Sequence, residues 1–329
     1  MENRLIVSSS PHFRANTNTQ RIMLDVIIAL LPATVAGIYF FGSRAALVIF
    51  VTILSCVISE YLSRKALKKE STISDLSAVV TGLLLALNLP STIPLWMAAI
   101  GGVVAIVIAK QLFGGLGQNF MNPALVARVF LLNAFLKHMT SFEKPIGVDV
   151  VSSATSIDAI SSATPLYQMK EFVKGNAAYL PEYWDLFIGK IAGCIGETSV
   201  IALLIGAAYL LYRRVISPEI PVTFIGSVAL LTWIFGGKTL FTGDWLYHVL
   251  SGGLMIGAFF MATDYATSPV TFKGRVIMGL GCGILTAVIR LYTGYPEGVS
   301  YAILLMNICV PLIDRYTVPK SFGGEKAVA

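Results

Sequence analysis

The residues of this chain that could do chemistry are few and widely spaced in apolar sequence. The densest set is Asp158-Ala159-Ile160-Ser161-Ser162-Ala163-Thr164-Pro165-Leu166. It lies in a long water-compatible segment between Lys137 and Tyr183, close to Ser152, Ser153, Thr155 and Ser156. Hydroxyls accept hydrogen bonds and can be esterified, and small side chains let a backbone approach a ligand closely. On composition alone the stretch reads first as a Ser/Ala-rich turn. Charge also falls where it is costly. Arg128 sits inside an apolar run, and a cation at a helix centre costs about 2.5–3.5 kcal/mol on insertion scales. It must face a cavity or an anion, or else snorkel to the surface. Glu197, in Gly196-Glu197-Thr198-Ser199, and Glu297, in Tyr295-Pro296-Glu297-Gly298, are candidates for an ion path. For Glu297 and Asp264 the alternative is helix capping at the membrane interface.

A glycine-rich turn, Gly114-Gly115-Leu116-Gly117-Gln118-Asn119-Phe120-Met121-Asn122-Pro123-Ala124, precedes Arg128. Pro123 suits the first turn of a helix, whose free N–H groups face whatever lies ahead of it. A tight interhelical turn would use the same residues. Gly114, Gly115, Asn122 and Arg128, with Thr263 and Asp264, form a candidate ligand-binding set. The cysteines Cys56, Cys194, Cys282 and Cys309 are isolated, so an all-protein iron–sulfur cluster or a disulfide is not expected, and His12, His138 and His248 are scattered. No metal site is expected.

The elements that must position these residues are membrane helices. The chain has 329 residues, 56% hydrophobic and 13% charged, with mean hydropathy +0.76. Soluble domains carry about 25% charged residues. The net charge of +6 is therefore read as positive cytoplasmic loops, not as nucleic-acid binding. The polar start has no signal-peptide core, so no cleavage is expected. Ten apolar runs have the length of a span: 22–41, 45–62, 76–90, 94–110, 122–136, 190–211, 221–237, 246–263, 276–292 and 298–314. The third and fifth are short and bounded by Gly or Pro, as broken helices lining a site would be.

Orientation follows from Lys and Arg. With the N-terminus inside, the cytoplasmic segments hold fifteen of the 24, the outer segments eight, and Arg128 lies within a span. Both termini are then cytoplasmic and the long loop is outside. The halves look related. Gly82, Thr92 and Pro94 share their spacing with Gly257, Thr267 and Pro269, and Met121-Asn122 is echoed by Met306-Asn307. Five spans per half would make the repeats inverted, which places ligand and ion sites near the midplane. The expected fold is an all-α polytopic membrane protein of about ten transmembrane helices as two inverted five-helix repeats. Its parts are a tail (1–21), a first repeat (22–136), an outer loop (137–189), a second repeat (190–314) and a C-terminal tail (315–329).

Ser161-Ser162-Ala163-Thr164, with Asp158 upstream, resembles the flavinylation motif of redox-driven ion pumps, in which Gly is commoner where this chain has Ser162. The chain is also similar to the RnfD/NqrB family at Ser9-Ser10-Pro11-His12, Thr81-Gly82-Leu83-Leu84-Leu85-Ala86, the turn from Gly114 to Ala124, Gly196-Glu197-Thr198-Ser199, the stretch from Tyr295 to Asn307, and Pro311-Leu312-Ile313-Asp314. The RnfD side is the closer, since NqrB chains usually carry a longer N-terminal part. The resemblance implies an electron-carrying subunit of a membrane-bound ferredoxin:NAD⁺ oxidoreductase that exports Na⁺ or H⁺. It implies FMN esterified to Thr164 and a non-covalent riboflavin among the helices. It also implies partner subunits in a prokaryotic plasma or inner membrane, including a second FMN-bearing subunit and an iron–sulfur membrane pair. Two other functions fit parts of the sequence: an NqrB-type subunit of a Na⁺-pumping NADH:quinone reductase, and a solute channel or transporter with the same architecture.

Overall fold

The computed structural model describes residues 18–70, 72–143, 145, 164–175, 180–293 and 297–319. Asp158, Ser161, Ser162 and Ala163 lie outside the described residues. Among the described residues every regular element is helical. Helix α1, Thr19–Ala66, is N-capped by Asn18, whose side chain accepts from Arg21 N at 2.9 Å, and is broken at Gly42 (φ 71°, ψ −158°). That backbone conformation favours glycine, and it divides the 48 residues into two lengths. Each is about 35 Å long at 1.5 Å per residue, enough for a hydrocarbon core of about 30 Å. α12 (Phe272–Tyr292) and α13 (Val299–Thr317) are also long and apolar enough to cross a membrane. The outer faces of the long helices leave Val35, Tyr39, Phe50, Val222, Ile284 and Leu312 exposed, an apolar surface suited to lipid.

The inner helices are shorter and more fully buried. α2 (Ser77–Leu87) buries every residue but Val79. α3 (Leu95–Val103) continues as π-helix over Val104–Gln111. α4 (Pro123–Ala134) starts from an Asn122 cap, with Pro123 at its first position as the sequence suggests. α5 (Leu136–Met139), α6 (Pro165–Val173) and α7 (Tyr183–Ile188) lie in the long polar segment between the two halves. α8 (Val200–Tyr212), α9 (Glu219–Phe235) and α10 (Trp245–Leu250) follow. α11 (Leu254–Ile256) runs into a second π-helical stretch, Gly257–Met261.

Two expected spans differ from simple helices. In the run 190–211 the helix starts only at Val200, and residues 191–199 are irregular yet buried. Irregular backbone at membrane depth persists where protein satisfies it. Here Gly196 N donates to Leu87 O at 2.8 Å and Ile195 N to Leu89 O at 3.0 Å, so this segment caps the carbonyl end of α2. In the run 246–263, Ser251 to Gly253 interrupt the helix, with Gly252 at φ 70°. Helices α9 and α12 pack closely through small residues. Cβ atoms at Gly279 or Gly283 would overlap Thr223 and Ser227, the small-residue packing that replaces hydrophobic driving force between helices in lipid.

Candidate functional site

The centre of the molecule holds a buried charged network built by four parts of the chain. Asn88 ends α2, Arg128 lies on α4, Cys194 and Glu197 belong to the irregular segment, and Glu297 precedes α13. Arg128 donates through Nη1 to Asn88 Oδ1 and through Nη2 to Glu297, and Nη2 lies 4.0 Å from Glu197 Oε2 and 3.7 Å from Cys194 Sγ. Glu197 Oε1 accepts from Cys194 N at 3.0 Å. Arg128 is 6% exposed and Glu197 4%, so Arg128 is not snorkelling. Ligand atoms of Cys194, Glu197 and Glu297 lie within 4.8 Å of one another, with Glu197 Oε2 and Glu297 Oε1 free of hydrogen bonds. With both carboxylates ionised, one guanidinium leaves a net single negative charge, which one proton or one monovalent cation would neutralise.

A second buried pair was not legible in the sequence. Lys110, reckoned above among the cytoplasmic cations, is 2% exposed and lies 3.0 Å from both oxygens of Glu60, with Ser77 Oγ accepting at 2.6 Å. The π-helical stretch turns Lys110 and Gln111 inward, and Gln111 Nε2 also donates to Glu60 at 3.0 Å. Arg290, reckoned as an outer-loop cation, is 3% exposed. Arg128 is therefore one of three buried cations among the described residues. The one signal in the sequence was Glu60 near the end of one span and Lys110 at the end of another.

A cavity of about 80 Å³ opens beside Lys110. Asn119, Asn122, Thr263 and Asp264 give it polar edges, and Val80, Leu84, Phe259 and Phe260 give it apolar walls. Asn122 Oδ1 caps α4 through Ala124 N (3.1 Å) and Leu125 N (3.3 Å). Asn307, with its amide turned so that nitrogen faces the carbonyls of Thr267 and Ile303, accepts from Asn122 N at 3.2 Å. The two echoed asparagines thus meet. Three members of the candidate set, Asn122, Thr263 and Asp264, line this cavity. Arg128 does not line it, and neither do Gly114 (φ 120°) and Gly115 (φ 106°). Those two close the π-helical stretch through Gln111 O and Lys110 O.

Thr164 is the N-cap of α6, accepting from Tyr167 N at 3.4 Å, and is buried. An ester at this oxygen removes its hydrogen but leaves a lone pair, so cap and ester are compatible. Beyond it, burial holds the Lys170 amine below the usual lysine range, aided by Lys174. A hydrogen bond from the Tyr183 hydroxyl to Asp244 pushes the Tyr183 phenol up to about 12.

Broken, buried helices around an internal charged network are those of a polytopic membrane protein. The family described as NQR2, RnfD, RnfE matches residues 6–323, and the chain belongs to that family. It is 48% identical over 327 residues to the D subunit of the Na⁺-translocating ferredoxin:NAD⁺ oxidoreductase complex of Acetobacterium woodii, covering 99% of this chain and 97% of the relative. It is 47% identical to the D subunit of the proton-translocating ferredoxin:NAD⁺ oxidoreductase complex of Clostridium ljungdahlii (99% and 98% covered). Against the D subunit of the ion-translocating oxidoreductase complex of Escherichia coli strain SMS-3-5, identity is 39% (97% and 99% covered).

Proposed function

We propose that this chain is the membrane-embedded, flavin-carrying D-type component of an ion-translocating ferredoxin:NAD⁺ oxidoreductase complex. The observation that carries the reading is identity at nearly half of all positions, over essentially full length, to two proteins of that description. Those relatives differ in ion, Na⁺ in one and H⁺ in the other, at almost equal identity, so overall similarity leaves the ion open between these two. The partners are the remaining membrane and peripheral subunits, among them a second FMN-bearing subunit and an iron–sulfur pair. The ten-span, inverted-repeat arrangement, with both termini cytoplasmic and Thr164 outside, belongs to the same proposal.

FMN is esterified to Thr164, and riboflavin occupies the cavity edged by Asn119, Asn122, Thr263 and Asp264. The fit favours this: amide and hydroxyl groups match the carbonyls and ring nitrogens of an uncharged flavin, and the walls are apolar. A tricyclic ring needs more room than 80 Å³, so lining side chains must shift to admit it. When bound, the flavins supply the electron-carrying chemistry, and the protein supplies position and electrostatics. Arg128 holds Glu197 and Glu297 together, and the free oxygens of those two carboxylates take up the translocated ion.

The test is the denatured chain. Wild type should give a fluorescent band and a mass increase of one FMN on the peptide bearing Thr164. Thr164→Ala should lose both while the complex still assembles. A fluorescent Thr164→Ala band would remove Thr164 from the proposal.

A further inference from the structure

Arg290, on the last turn of α12, is buried without an ion-pair partner among the described residues. Its Nη1 donates to His248 O at 2.6 Å and its Nη2 to Ser251 O at 3.2 Å, while Nε has no partner. Glu197 and Glu297 act on it electrostatically, but neither forms an ion pair with it. Nearby, His248 Nδ1, Ser251 Oγ and Thr286 Oγ1 are buried without hydrogen bonds. Burying an unpaired charge carries a penalty of several kcal/mol per ion, and orphaned polar groups around one cation need a common explanation.

The surroundings supply one. Of these groups Arg290 and His248 line a pocket of about 150 Å³, which must widen to admit a tricyclic ring, whereas Ser251 and Thr286 are not part of its lining. Leu166, Met169, Lys170 and Val173 of α6 form one wall, and Phe235 and Tyr292 close it from α9 and α12. Lys170, like Arg290, is held by a carbonyl oxygen, that of Thr293. Thr164 caps the same α6, two residues before Leu166. The pocket is therefore apolar-walled, has three cations (Lys170, Lys174 and Arg290) and an imidazole at its edge, and stands on the helix that begins at the ester site. Apolar walls suit a ring better than a hydrated phosphate, and the cations suit a ring that gains negative charge on reduction.

We propose that this pocket seats the isoalloxazine ring of the flavin tethered to Thr164, with the pyrimidine edge of the ring at Arg290. The proposal rests on the reading of Thr164 as the flavin site. Arg290 is then a positioning and electrostatic residue. A cation at the pyrimidine edge favours forms of the flavin that carry negative charge there. His248, whose Nδ1 is unpartnered and which lines the pocket, provides a hydrogen bond to a ring carbonyl.

Sulfite tests this without turnover. It adds reversibly to N5 of an oxidised flavin: the sulfur lone pair forms the N–S bond as the N5=C4a π bond opens, and the displaced electron pair places negative charge on the pyrimidine edge. The bleaching is read in the purified complex, and the difference between wild type and Thr164→Ala isolates the flavin on this chain. Arg290→Gln should weaken sulfite binding at least tenfold, and Arg290→Lys should restore part of it. If Arg290→Gln does not assemble, Lys170→Met serves instead, with a several-fold loss expected. Fluorescence of the denatured band is scored in every variant. A wild-type band without flavin would sink the Thr164 reading itself. A flavin-bearing chain whose sulfite affinity is unchanged in these variants, or which does not bleach in the wild type, overturns the pocket proposal alone. A phospholipid retained on native mass spectrometry in wild type and Thr164→Ala, and lost in Arg290→Gln without a change in sulfite affinity, would assign the pocket to a lipid headgroup instead.

Discussion

Arg128 and Glu297 stand 169 positions apart, one in the expected first repeat and one in the second, and form an ion pair inside the protein. Glu197 Oε2 lies 4.0 Å from the same guanidinium. The pair joins the two halves through their most expensive groups, so its loss should be felt throughout the fold. Removing one partner of a buried pair costs about 3–5 kcal/mol. Arg128→Met should lower the thermal midpoint of the purified complex by more than Glu297→Gln does. The double variant Arg128→Met/Glu297→Gln should recover part of the loss. Equal, additive effects in such a double-mutant cycle would mean that the two residues act independently.

Thr164 has a structural role separable from its proposed chemical one. Losing an N-cap side chain costs about 1 kcal/mol locally, and α6 has nine residues over which to absorb it. Thr164→Ala should speed amide exchange at Tyr167 and Gln168, while Thr164→Ser should leave it near wild type. Unchanged exchange in both would show that the long 3.4 Å contact contributes nothing.

Gly206 of α8 lies against the backbone of α1 at Ala29, where a Cβ would overlap the carbonyl oxygen, whereas Gly226 of α9 has nothing within 4 Å. Overpacking costs about 1–3 kcal/mol, and Gly→Ala at an open helical position gains up to about 1 kcal/mol. Gly206→Ala should reduce, and Gly226→Ala should keep or raise, the monodisperse fraction after detergent extraction. The reverse order would contradict the α1–α8 packing.

The phenol of Tyr183 is raised to about 12 by its hydrogen bond to Asp244. The raised value means that the neutral phenol is favoured in the folded protein. Its contribution is complete below the ordinary tyrosine value of about 10 and is lost as pH rises through about 12. Difference absorbance at 295 nm between wild type and Tyr183→Phe should show this late titration. Asp244→Asn should bring it back toward 10. A step already complete near 10 in the wild type would exclude the contact.

Lys174 is an exposed position beyond Thr164, with its side chain 57% accessible. In a background without native thiols, Lys174→Cys should react with an impermeant maleimide from outside intact cells. Reaction only after the cytoplasmic face is opened would reverse the proposed orientation.

Much of this architecture could be read from apolar run length and Gly/Pro punctuation, because lipid forces helices on any chain that crosses it. That logic placed the break near Gly42 and the Asn122–Pro123 helix start. It failed where helices stop inside the protein. Residues 190–199 open an apolar run, yet Ile195 and Gly196 give their amides to the carbonyls of Leu89 and Leu87 at the end of α2, a long-range pairing that local sequence does not specify. Arg128, Glu197 and Glu297 stood out individually because charge is rare in such sequence, but their convergence depends on tertiary packing. Lys110 and Arg290 lie near the ends of the runs 94–110 and 276–292, where a charge count places them with the loops. The π-helical stretch, which shifts helical register by part of a turn, buries Lys110, and the turn of chain carrying His248 and Ser251 covers Arg290.

The two amide-to-carbonyl bonds from Ile195 and Gly196 to Leu89 and Leu87 are made by main chain alone. A staple of this kind has no side chain to delete. Ile195 and Leu89 can change identity in descendants of this sequence without loosening it. Gly196, whose missing Cβ leaves room for Leu87, has no such freedom. Any working motion between the halves must either carry α2 and the irregular segment as one body or break both bonds together. Mechanical compliance is thereby directed to the unstapled joints, at Gly42 and at the Ser251–Gly253 interruption.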